Sequence, residues 1–167
     1  TRAASKAMPS VKRRGFEPEE LERLFASLAQ VDAEHAWRFW VPAMAAFSGA
    51  RASELCQLRV DDVITVRGIV CLDFSVFDED GRRDEAKRLK TDSSERAVPL
   101  HKQVLAAGFE AFVARARASG EERLFPQLRP NKAGEYSWQL TRWFARQLDK
   151  LGMTQPILFR GLRENLR

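Results

Sequence analysis

Cysteine and histidine are scarce, with two of each in 167 residues. Cys56 and Cys71 stand alone, with no CxxC pair and no Cys/His cluster, so no metal site is expected. Two small buried thiols in a reducing cytoplasm are the expectation instead. Tyrosine occurs once, at Tyr136, on the boundary between a loop and a helix, where a structural ring is expected. No apolar run approaches the roughly 20 residues that span a bilayer, and nothing resembles a signal peptide, so no membrane association is expected. Internal repeats and low-complexity tracts are also missing. The chain begins with Thr1 rather than methionine, and it is expected to be a piece of something longer.

What is present fits one globular domain. Hydrophobic residues make up 44% and charged residues 31%, and the length suffices for a sizeable core. The formal charge is +5, a modest excess, but its distribution is informative. Basic residues gather at Lys12, Arg13 and Arg14, at Arg82, Arg83, Lys87, Arg88 and Lys90, and at Arg160, Arg163 and Arg167. Acidic residues concentrate in "EPEELE" (17–22) and "VDD" (60–62). Segregation of this kind fits one face built for a polyanion.

The organisation reads as α+β. Residues 1–15 are small, polar and basic, a linker or arm. Pro18, flanked by Glu17, Glu19 and Glu20, opens a helix with a Leu21, Leu24, Phe25 and Leu28 stripe. A second helix is expected over about 34–47, and a third, short one carries Ser53, Glu54, Leu55 and Leu58. "VITVRGIVCLDFSV" (63–76) is rich in β-branched residues and turns at Arg67-Gly68, so strands follow. "KRLKT" (87–91) and "ERAVPL" (95–100) read as strands joined by a polar turn, with Lys90 near its tip. One helix is expected from about His101 to Arg117, then a loop over 120–136. "SWQLTRWFARQLDKLG" (137–152) reads as an amphipathic helix, with Ser137 as N-cap, Gly152 as C-cap, and Trp138, Phe144 and Leu148 facing the core.

The stretch richest in chemistry is "FSGARASELCQLRVDDV" (47–63). A helix ends at Gly49, the chain turns, and Arg51 starts a new helix three residues before Glu54. An arginine fixed there offers a planar fork of donors suited to a phosphate's paired oxygens, although a surface pair with Glu54 is the plainer reading of the spacing.

This stretch resembles the first-arginine box of the tyrosine recombinases, the phage-integrase family. Further segments follow in that family's order. "FEPEELERLF" (16–25) resembles the opening helix of the catalytic domain, "RLKTDSSERAVPLH" (88–101) the hairpin that carries the catalytic lysine, and "ERLFPQL" (122–128) with "SWQLTRWFARQLDKLG" the segments before the H-x-x-R box. The resemblance covers about residues 16–163. It implies a mostly helical catalytic domain with a small antiparallel three-stranded sheet, incomplete over 16–167, and with no metal or nucleotide cofactor. It implies Arg51 and Arg163 as the arginines that clamp the scissile phosphate, and Lys90 as a proton donor near the leaving 5′-oxygen. Lys87, Arg88 and Arg96 are candidates for contacts that position the DNA backbone without reading sequence.

The pattern departs from the family at the end. "RGLREN" places Arg160 where the histidine belongs, and an arginine keeps its proton near neutral pH, so binding is expected to survive better than catalysis. The family's nucleophilic tyrosine would fall after residue 167. The chain as given is therefore expected not to form the 3′-phosphotyrosyl intermediate itself. A cut chain and a truncated reading frame both explain this. Double-stranded DNA is the expected partner, with self-assembly on DNA for the full-length protein and a monomer for this chain alone. The alternatives are a degenerate remnant that only binds DNA or a partner, and a type IB topoisomerase with the same clamp, which the chain's size and close box match disfavour.

Overall fold

A computed structural model describes residues 14–77, 82, 83, 87, 95–153 and 159–164. Within them, α1 spans Pro18–Leu28, α2 Trp37–Ser48, α3 Ala52–Cys56, α4 Lys102–Ala106, α5 Phe109–Ala118, α6 Trp138–Lys150 and α7 Gly161–Glu164. Three strands, β1 Val63–Val66, β2 Ile69–Asp73 and β3 Ala97–Pro99, form one antiparallel sheet in the order β1-β2-β3. The α+β class, mostly helical with a small three-stranded sheet, is as the sequence implies.

α2 is the axis of the fold. It packs against α1, α3, α4 and α7, and Val41, Met44 and Ala45 on it are fully buried. Its indole at Trp40 meets Phe39, Phe109 and Phe112 with ring centroids 4.9, 5.2 and 5.5 Å away, so α2 and α5 join through an aromatic cluster. The helix begins later than the sequence suggests. Residues Ala33–His35 form a 3-10 turn, because the Asp32 carboxylate accepts from the His35 amide at 2.8 Å and closes that turn locally.

The sheet follows from its turn. Arg67 and Gly68 both take positive φ, 50° and 79°, the two-residue turn whose twist matches a hairpin. It sets Val63 opposite Leu72 and Val66 opposite Ile69, and Leu72 in turn pairs with Val98 on β3. Both cysteines are buried free thiols, as expected, and burial pushes the Cys56 thiol well above its usual range.

Two helix expectations need correction. The single helix over 101–117 is two, α4 and α5, broken where Gly108 takes φ 93°. On α6 the buried stripe is Leu140, Phe144 and Leu148, spaced one turn apart; Trp138 lies off that stripe, half exposed on the helix flank. Gly152 takes the left-handed conformation (φ 69°) just past α6, as expected, but the Ser137 side chain makes no capping hydrogen bond. The expected strand over 87–91 and the tip carrying Lys90 lie outside the described residues apart from Lys87.

Candidate functional site

The site is built on the reversal between α2 and α3. Gly49 ends α2 in a left-handed conformation, φ 65°, which L side chains rarely adopt. The chain then turns so that Arg51, in extended backbone, stands immediately before α3. Glu54 fixes it there: the carboxylate accepts from the Arg51 amide at 2.7 Å and from the Arg51 guanidinium at 2.8 Å. The plain reading of the spacing, an Arg51–Glu54 pair, is therefore present, and it is what holds the arginine.

Glu54 is only 2% exposed and serves a second cation. Arg96, just before β3, donates to it at 3.1 and 3.4 Å, and the same guanidinium lies 4.8 Å from the centre of the Phe74 ring. Burial by itself would raise the Glu54 carboxyl, but hydrogen bonds from Arg96 and Arg51 outweigh it and hold the group below its usual value. Arg96 is thus drawn inward onto the helix that bears Arg51.

Arg163 arrives from α7. Its Nε donates to the Gly49 carbonyl at 2.5 Å, so it is seated on the same turn that positions Arg51. Burial, and then the positive charge of Arg51, push its guanidinium below the usual value. Arg51, Arg160 and Arg163 line one cavity of about 470 Å³, with Ala52 and Ser53 at the start of α3 and a far wall of α6 residues that include Thr141, Phe144 and Asp149. Arg160 is exposed and pairs with Glu164 at 3.3 Å. The structure therefore brings together Arg51, Arg160 and Arg163; Lys90 and Arg88 lie outside the described residues.

Lys87 is placed differently from the sequence reading. It is 6% exposed, its ammonium is paired with the buried Asp62 carboxylate, and it also donates to the Ser75 carbonyl at 3.2 Å. A phosphate contact at Lys87 is corrected to a buried ion pair, because the ammonium is buried against the Asp62 carboxylate and the Ser75 carbonyl. Tyr136 is a half-buried ring under the Arg123 guanidinium, 4.4 Å from its centroid.

Sequence reasoning missed the far wall of the cavity. Thr141 and Asp149 on α6, with Ser137 just before it, line it one step around the helix from the buried stripe, and that offset was the available signal. Among the described residues the grouping of possible metal ligands is Asp32, Glu34 and His35, on the 3-10 turn and away from the lining of this cavity. Its Asp32 is already bound to the His35 amide and ring.

Comparison with known proteins agrees with this geometry. The model of the phage integrase family matches residues 14–166. Among solved structures, XerA recombinase superposes over 96% of this chain and 50% of its own, at 17% identity and a TM-score of 0.58. A lambda integrase tetramer bound to a Holliday junction covers 99% of this chain and 44% of its own, at 20% identity and a TM-score of 0.57. XerH recombinase in a post-cleavage complex with its difH substrate covers 89% and 39%, at 16% identity and a TM-score of 0.52. The chain thus spans half or less of the recombinases it resembles. No curated protein matches the sequence. With the family model running over nearly the whole chain and the fold shared with these recombinases, the chain belongs to the phage integrase family, the tyrosine recombinases, and has that family's catalytic-domain fold.

Proposed function

We propose that this chain is the duplex-DNA-binding catalytic domain of a site-specific recombinase of phage or genomic-island type, preceded by a basic arm at 1–15. The observation that carries this reading is the seating of Arg51 and Arg163 on one glycine turn beside a shared cavity. Their guanidinium forks would hold a scissile phosphate from two helices and stabilise charge on its pentacoordinate transition state. Glu54 and Arg96 are the support of that clamp. Lys90 would donate a proton to the leaving 5′-oxygen, and Arg88 would contact the backbone nearby.

Arg160, in the position of the family's histidine, favours a second reading. A permanently protonated side chain donates to phosphate but accepts no proton, so the domain would bind better than it cuts. The sole tyrosine lies under Arg123, and this chain alone is proposed to bind DNA as a monomer without forming a covalent intermediate.

Fluorescence anisotropy with a short labelled duplex tests the binding, and no affinity at low salt sinks both readings. A nicked suicide duplex, in which a cleaved strand cannot be resealed, tests whether this chain cuts at all. A covalent protein–DNA band on a denaturing gel would overturn the binding-only reading.

A further inference from the structure

α6 has a second flank, turned away from the clamp. Leu140, Phe144 and Leu148 face inward and Ser137, Thr141 and Asp149 face the phosphate cavity, which leaves Trp138, Arg142, Trp143 and Arg146 on the other side. With Gln139, and with Trp37 and Arg38 from the start of α2, these residues enclose a separate cavity of about 310 Å³.

Its chemistry is one-sided. The Arg38 guanidinium lies 5.3 Å from the Trp37 ring centre and 5.6 Å from that of Trp143, and Arg142 lies 5.9 Å from Trp138. The Trp138 indole donates to the Arg129 carbonyl at 2.9 Å, which fixes that ring. Among the described residues no carboxylate lines the cavity. Among the described residues neither Arg38, Arg142 nor Arg146 has an ion pair, whereas Arg14, Arg51, Arg59, Arg96 and Arg160 each meet a carboxylate. Asp32, the carboxylate that feels the charge of Arg38, is already held by His35. The Arg38 Nε is shielded from solvent and has no acceptor, a state that leaves a desolvated donor unsatisfied.

We propose that this pocket docks an acidic peptide segment of a protein partner. Three guanidiniums with no ion pair among the described residues call for an anion, and a guanidinium's paired N–H groups can grip a carboxylate bidentately. Single-stranded nucleic acid is a poorer fit, because base stacking needs open aromatic faces and each indole here already carries a guanidinium. Duplex DNA presents its phosphates on a broad convex surface, whereas this is a recess between two helices. Tryptophan and arginine are also the side chains that dominate binding energy at protein interfaces. The proposal does not rest on the DNA reading, since α6 stands between the two cavities.

The test is anisotropy with a fluorescein-labelled peptide of Glu, Asp and Leu, beside a peptide with Gln and Asn in place of the acids, and a labelled duplex. The acidic peptide is expected to bind with Kd below about 1 mM, and the neutral one to bind at least tenfold more weakly. Arg142→Gln with Arg146→Gln, both exposed, is expected to weaken peptide binding at least tenfold at unchanged melting temperature. Arg67→Gln with Lys102→Gln, a matched charge loss elsewhere, is expected to leave it within twofold. Equal binding of the two peptides, no measurable binding, or equal effects of the two double variants overturns the proposal. If the Arg142/Arg146 variant loses duplex binding and keeps the peptide, the face belongs to nucleic acid and the proposal is overturned as well.

Discussion

Glu54 ties Arg51, one half of the proposed clamp, to its support Arg96 at a single carboxylate. It is buried, and the guanidiniums of Arg51 and Arg96 both depend on it. Replacing it by glutamine leaves both cations short of a counter-charge, so Glu54→Gln is expected to destabilise by about 2–4 kcal/mol in urea unfolding. The effect is pH-dependent. The folded carboxyl lies below its unfolded value of about 4.3, so its contribution is complete above that pH and is lost as pH falls through the folded value. The gap between wild type and Glu54→Gln is therefore expected to close in acid; a gap constant from pH 7 to pH 3 would refute the assignment. At this scale the turn that places Arg51 was legible, because it is a local motif, whereas the ion pairs that hold Lys87 and Arg96 were not. A basic residue in a sequence reads alike whether it meets solvent phosphate or a buried carboxylate. The partners here, Asp62 and Glu54, are 25 and 42 positions away, and only folding reveals them.

The elements are held in register by close approaches at a few backbone positions. Arg14 grips Glu20 with two hydrogen bonds of 2.6 and 2.7 Å, drawing the Glu20 carboxyl down to about 2. This pins the segment before α1 onto the fold beside α7. There Gly161 packs so tightly that an added Cβ would lie 3.2 Å from the Arg14 carbonyl and 3.3 Å from the Phe16 ring. Gly161→Ala is expected to push α7 outward, lowering the melting temperature by about 2–6 °C, which corresponds to about 1–2 kcal/mol. Because α7 carries Arg163, duplex affinity is expected to fall with it. At Gly108 the outcome should differ. Open space surrounds the position, and the cost of alanine comes from φ 93° alone, about 1–2 kcal/mol, with duplex affinity unchanged. Thermal melts of the two variants, each paired with anisotropy, separate local strain from displacement of the clamp. The break at Gly108 escaped the sequence reading because Leu105, Phe109 and Val113 stand four residues apart, a spacing that one continuous helix also satisfies. The hairpin at Arg67-Gly68 was legible because its turn chemistry is local.

For the whole molecule the distinction that matters is between charges that face the ligand and charges that hold the fold. The formal net charge of +5 does not make it, since Lys87 and Arg163 count equally in that sum. Salt dependence does. Each phosphate neutralised by a cation releases counterions, and log affinity falls with log salt by about 0.9 per contact. Arg51→Ala removes a proposed phosphate contact, so affinity is expected to fall about fivefold to a hundredfold and the slope to become shallower by about one. Lys87→Met removes an equal formal charge from the interior, where the ammonium faces Asp62 and Ser75. Its slope is expected to match wild type, while stability falls because Asp62 is left buried without a partner. Glu54→Gln is expected to fall between them: the clamp arginines keep their charge and hence their slope, but lose orientation and hence affinity. Anisotropy titrations of these three variants at several salt concentrations read both quantities. A shallower slope for Lys87→Met would return that residue to the DNA face and overturn its reassignment to the interior.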